Sequence, residues 1–196
     1  PLDEVSGALR RDGHPPLFYL LLHGWIAAVG DSDLAVRALS GLWAVALLPL
    51  VWIAGRRVGG RRTAACTVVI LALSPFAVRY ATEARMYAMV SVLALVGWLA
   101  ADSAWRRPGV VPLAGVAVCS ALLLWTHYWS IWFLAVGASL LAVLAWRANA
   151  GGDRAARSAA LRILAAVGVG GLTFAPWLPT LWYQRAHTGT PWTRPS

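Results

Sequence analysis

The chain has 196 residues, 59% of them apolar and only 13% charged, about half the charged share of an ordinary soluble domain. Its mean hydropathy is +0.63. All 17 basic residues are arginine and the formal net charge is +9. The arginines stand in short connections between apolar runs, which reports membrane topology and excludes nucleic acid as their counterpart.

In the first stretch, Asp12-Gly13-His14-Pro15-Pro16-Leu17, two titratable side chains precede a rigid diproline and then the uncharged run Leu17 to Gly30. Pro15 and Pro16 fix φ and, at a helix start, forfeit no hydrogen bond. The position of Asp12 and His14 against the apolar run is therefore set by the backbone. From Pro15 the run is about sixteen residues, short for a span, and its His23 and Trp25 suit a juxtamembrane helix lying in the outer interface.

Beyond it, residues 38–54, 63–78, 86–101, 108–146 and 163–184 carry no charge. The run 108–146 accommodates two spans with Thr126-His127-Tyr128 at the hinge. That gives about six spans, near 35–54, 63–80, 86–101, 109–126, 129–146 and 162–183, close to the roughly 17–25 residues that a bilayer requires. Gly59-Gly60 and Gly151-Gly152 mark turns between them. The expected fold is all-α, a polytopic transmembrane helix bundle forming one partial domain. Residues 1–34 are its outer loop and juxtamembrane helix, 35–183 its spans, and 184–196 the start of the next outer loop. The start at Pro1, with no signal peptide or leading span, and the finish after Pro191-Trp192-Thr193-Arg194-Pro195-Ser196 lead to the expectation of a fragment of a longer protein.

Sidedness follows from the arginines. Arg56, Arg57, Arg61, Arg62, Arg106, Arg107, Arg147, Arg154, Arg157 and Arg162 fall on one side of alternating spans, against only Asp102 and Asp153. The positive-inside rule makes that side cytoplasmic. Asp12, His14, the segment Arg79 to Tyr87, the hinge at His127-Tyr128 and the tail from Trp182 then share the outer side, as an extracytoplasmic site in the cell membrane requires. Trp125, Trp129, Trp177 and Trp182 suit the outer aromatic belt, and Trp52, Trp105 and Trp146 the inner one. Cys66 and Cys119 have no metal-type or redox spacing and read as small apolar fillers.

Asp12-Gly-His14-Pro-Pro-Leu17, Leu34-Ala-Val-Arg37, Gly55-Arg-Arg, Ser74-Pro75-Phe76, Glu83-Ala-Arg85-Met-Tyr87 and Thr126-His127-Tyr128 form an ordered series. This series resembles the integral-membrane glycosyltransferases of the GT-C fold, in the family 39/83 group of protein O-mannosyltransferases, aminoarabinose transferases and RgtA/B/C/D-like proteins. The resemblance runs from Asp12 to about Trp182. It implies transfer of a mannose-like or other sugar from a polyprenyl-phosphate donor to an extracytoplasmic protein, lipid or glycan acceptor.

On that resemblance, Arg85 is the first candidate for the donor phosphate, because a guanidinium matches phosphate bidentately. His14 stands where relatives carry a His or Lys before the two prolines. Asp12 orients His14 or, with His127, serves a divalent metal if one is used. Glu83 lies four residues from both Arg79 and Tyr87, so that one helical face would hold all three; an ion pair with Arg79 or Arg85 is the structural alternative. The family's general base belongs to an acidic pair further upstream. Asp3-Glu4 stands too near Asp12 to be that pair, which places the base before Pro1 and leaves this chain inactive alone. Two other readings stay open: a transporter or flippase-like module using Arg79, Glu83, Arg85 and His127 as a path, and a non-catalytic membrane scaffold.

Overall fold

The diproline opens the first helix as expected. The computed structural model describes residues 13–187, in which α1 (Leu17–Val29) begins directly after Pro16. The Leu20 amide donates to the Pro16 carbonyl at 3.0 Å. Ser32 then caps α2 (Asp33–Leu73), its hydroxyl accepting from the Ala35 amide. The Trp25 indole donates to the Ala35 carbonyl at 2.7 Å and ties α1 to α2.

α2 is a hairpin rather than a rod. Gly59 and Gly60 leave helical geometry, and Gly60 has φ +79, a conformation open mainly to glycine. A Cβ at Gly55 would lie 2.6 Å from the Ala64 Cα and 2.8 Å from the Thr67 hydroxyl. In a straight helix residues 55 and 64 would stand about 13 Å apart, so the arms before and after Gly60 lie against each other. The second arm stops at Leu73, because Ser74 caps a new helix and Pro75 occupies its first turn. The expected span 63–80 is thus two helices, the arm of α2 and α3 (Pro75–Thr82).

The remaining helices are α4 (Tyr87–Arg106), α5 (Val110–Thr126), α6 (Trp129–Ala150), α7 (Arg154–Leu172) and α8 (Leu178–His187), with a 3-10 turn at Ala175–Trp177 before α8. α7 starts eight residues before the expected 162 because the Asp153 carboxylate caps it, accepting from the Ala156 amide at 2.9 Å. The expected span 162–183 is interrupted at the 3-10 turn, where Pro176 cannot continue an α-helical ladder.

All described regular structure is helical. Four stretches are long and apolar enough to cross a membrane: Asp33–Leu73, Tyr87–Arg106, Trp129–Ala150 and Arg154–Arg185. α1 has 13 residues and α5 has 17; at 1.5 Å per residue they are about 20 and 26 Å long, less than a hydrocarbon core of about 30 Å. The six expected segments are therefore mainly helical, but the number of spans is not fixed at six. The surface has the character of a membrane protein. On α6, Trp129, Trp132, Phe133, Val136, Leu140 and Trp146 are all exposed, an apolar face far larger than water tolerates and suited to lipid.

α4 packs on α2 and α5, α7 on α5 and α6, and α1 across α2 and α5. Small residues let these helices approach closely, the packing mode available where lipid removes any hydrophobic drive between helices. Ala104, Val116, Ile163 and Ala166 form one core between α4, α5 and α7. Phe18, Leu39, Met86, Met89, Leu93 and Leu123 form another at the opposite end, beneath α1. Of the two cysteines, Cys119 is buried as a filler would be, whereas Cys66 is exposed.

Candidate functional site

Gly13 has φ +74 and turns the chain into His14, while Pro15 and Pro16 are buried beneath it. The His14 ring lies 6.3 Å from Tyr19 on α1 and 5.9 Å from His127. His127 closes α5 in an extended conformation, its amide donating to the Leu123 carbonyl. The Trp129 amide donates to its Nδ1 at 3.1 Å, so in the neutral ring the proton sits on Nε2 and that nitrogen is the free donor. Burial, followed by the charge of His14, holds His127 below the ordinary imidazole value of 6.5.

Tyr87 begins α4 with its ring 5.8 Å from His127 and 4.5 Å from Tyr80, which in turn stacks edge-on with Phe76. Between Glu83 and Tyr87 the chain leaves the helix, with Glu83 and Ala84 half-buried, Arg85 exposed and Met86 buried. Met86 is 1% exposed and anchors the segment in the core, which sends Arg85 to the surface. The Ser40 hydroxyl, fully buried on α2, donates to the Arg85 carbonyl at 3.0 Å, and Arg37 reaches the Thr82 carbonyl at 3.3 Å. A hydrogen bond to Tyr87 raises the Arg85 pKa and keeps the guanidinium charged.

One expectation is corrected here. Glu83, Arg79 and Tyr87 do not share a helical face, because α3 ends at Thr82 with Glu83 in an extended conformation. The Arg79 Nε instead donates to the Glu83 carboxylate at 3.0 Å. This is the structural ion pair, and it is exposed enough for water to screen it. Asp12 lies outside the described residues. His14, Arg85, Tyr87 and His127 come together, with Glu83 close enough to Arg85 to help hold its charge. Among the described residues no three His, Cys, Asp or Glu side chains are grouped to hold a metal ion.

Sequence reasoning missed a second polar chain beside this cluster. The Trp177 indole donates to the Tyr128 hydroxyl at 3.0 Å, and that hydroxyl donates to the Gln184 side-chain oxygen. Gln184 is 1% exposed. Its signal was an amide within Leu178–His187, but only the 3-10 turn brings it back to Tyr128. Burial raises the Tyr128 pKa and the Trp177 donor partly offsets it, so the phenol stays protonated at neutral pH.

A groove of about 670 Å³ opens beside the cluster between α2, α3 and α4, lined by Ala44, Leu48, Phe76, Tyr80 and Tyr87 among others. Tyr87 belongs to both. A charged head at Arg85 and an apolar chain in this groove are thus the geometry on offer.

The His127 environment carries a pH dependence. Its folded pKa lies below the unfolded value, so the unfolded chain binds the proton more readily and stability falls as pH drops below about 6.5. Melting in detergent between about pH 7.5 and about pH 5.5 is expected to show a steeper loss for the wild type than for His127→Gln; equal slopes would remove His127 as the cause.

Comparison with protein-family models, curated proteins and solved structures finds no match for this chain.

Proposed function

We propose that the chain forms the donor site of a membrane glycosyltransferase, binding a polyprenyl-phosphate-linked sugar at the end of the bundle where His14, Arg85, Tyr87 and His127 meet. The observation that carries this reading is the meeting itself. Side chains from three distant motifs, DGHPPL, EARMY and THY, lie within ring-contact distance at the mouth of an apolar groove. An anionic head with a long apolar tail matches the groove and the guanidinium beside it. The arginine-rich connections at the other end support an extracytoplasmic position for this one.

The chemistry follows from charge. An acceptor hydroxyl on a protein, lipid or glycan attacks the anomeric carbon, the bond from that carbon to the phosphate oxygen breaks, and the lipid phosphate leaves with the electron pair. Negative charge grows on the departing phosphate. Arg85 and the Nε2–H of His127 are fixed donors that stabilise it better than mobile water does. His14 and Tyr87 hold these two in place. The residues assigned here bind and stabilise; the proton of the acceptor is taken by a base outside this set.

The test is transfer from polyprenyl-phosphate-mannose by the full-length protein in membranes. Loss of one such preorganised donor typically lowers turnover by about 10²–10³, so Arg85→Ala is expected to lose about a hundredfold and Arg85→Lys to recover part of it. His23→Ala, on the exposed side of α1, is the control. Undiminished transfer by Arg85→Ala would overturn the phosphate assignment.

A further inference from the structure

At the opposite end of the bundle, a cleft of about 810 Å³ lies between α4, α5 and the hairpin tip of α2. Its polar wall holds three arginines, Arg57, Arg106 and Arg107, against one carboxylate, Asp102. Arg57 donates through one Nη to Asp102 at 3.0 Å, to the Leu99 carbonyl at 3.1 Å and to the Ser103 hydroxyl at 3.1 Å. Arg106 donates through Nε to the other Asp102 oxygen at 2.9 Å. Both carboxylate oxygens are therefore occupied, and Asp102 acts as the post that holds two guanidinium groups in place. The terminal nitrogens of Arg106 and the whole Arg107 guanidinium have no protein acceptor among the described residues.

The N-terminus of α5 adds to the positive field. Gly109 offers no side chain to cap it, so its first amides and the helix dipole face outward unneutralised. The rest of the wall is apolar, from Leu99 and Ala100 on α4 to Val111 and Pro112 on α5. A fixed cationic rim above an apolar cleft at a bundle end is complementary to an anionic lipid: phosphate against the arginines, acyl chain along α4 and α5.

We propose that this cleft is a binding site for an anionic phospholipid headgroup, separate from the donor site and independent of the transfer reaction. It rests on the reading of these helices as membrane-embedded. Charge complementarity favours the lipid over a second copy of the chain, whose matching surface would carry the same arginines.

The test uses full-length protein in nanodiscs of mixed phosphatidylglycerol and phosphatidylcholine, with native mass spectrometry of the lipid retained after extraction. The wild type is expected to retain phosphatidylglycerol preferentially. Arg106→Gln with Arg107→Gln is expected to lower that retention by about tenfold or more. Unchanged retention in the double variant overturns the proposal. So does saturable uptake of inorganic phosphate without preference for phosphatidylglycerol, or a dimer whose dissociation follows the arginine changes. If alkaline carbonate strips the protein from membranes, the membrane reading fails instead, and that result is read separately.

Discussion

Gly170→Leu is expected to prevent the bundle from assembling. A Cβ at Gly170 would lie 2.8 Å from the Ser120 Cβ and 3.0 Å from the Ala121 amide nitrogen, and closer still to the Ala117 carbonyl oxygen. Two of these are backbone atoms of α5 and cannot step aside. α5 and α7 approach this closely only because Gly170 is bare, and α7 is the helix that carries α6. Overpacking a tight contact costs about 1–3 kcal/mol for small additions. Gly170→Ala adds that Cβ alone and should cost at least the top of that range, and leucine well beyond it. Retention of the folded form through a graded sodium dodecyl sulfate titration measures both. A leucine variant with an unshifted midpoint would show that α5 and α7 do not meet this way. Gly171→Leu, one position along and with open space around its Cβ, should be tolerated.

Met86→Ala is the second large effect, and it joins stability to the candidate site. Met86 lies between Arg85 and Tyr87 and is packed with Phe18, Leu39, Met89, Leu93 and Leu123. Truncating a buried methionine costs about 2–5 kcal/mol through lost packing and the cavity left behind. That packing is what sends Arg85 outward and starts α4 at Tyr87 beside His127. The alanine variant is therefore expected to melt lower and, in the full-length protein, to lose sugar transfer as Arg85→Ala does. Met86→Leu conserves volume and should cost less than about 1.5 kcal/mol, with transfer largely kept. An alanine variant that melts lower yet transfers normally would separate the core from the site.

Much of the candidate site was legible because its residues stand at discontinuities in an otherwise apolar sequence. His14 precedes a diproline, Arg85 stands in the charged break between the uncharged runs 63–78 and 86–101 with Tyr87 just inside the second, and His127 sits where a run too long for one helix must bend. Each marks an end of a helix, and ends of alternating helices on one side must be neighbours. The Glu83–Arg79 ion pair was among the readings of the sequence, but the shared helical face of Arg79, Glu83 and Tyr87 fails because periodicity alone extends a helix through residues 79–87. It cannot register that α2 holds this segment through Ser40 and Arg37, which makes an extended break at Glu83 cheaper than another turn. The chain from Trp177 through Tyr128 to Gln184 was missed for the same reason: its partners are brought together by a 3-10 turn and by packing of α7 on α5, not by spacing.

By itself, the sequence determined the helical class, the apolar surface and the grouping of ten arginines in connections away from His14 and His127, because composition and the length of uncharged runs decide what can leave water. The turn at Gly59-Gly60 and the extent of α5 were legible too; only the tertiary structure decided that Gly55 packs on Ala64 across that turn, that the expected spans 63–80 and 162–183 each break into two helices, and that His14, Tyr87 and His127 come within ring contact. Those outcomes depend on where bare glycines allow two backbones to touch and on which side chain of a short segment is buried. Such choices are made between helices, in contacts that no single stretch of sequence contains.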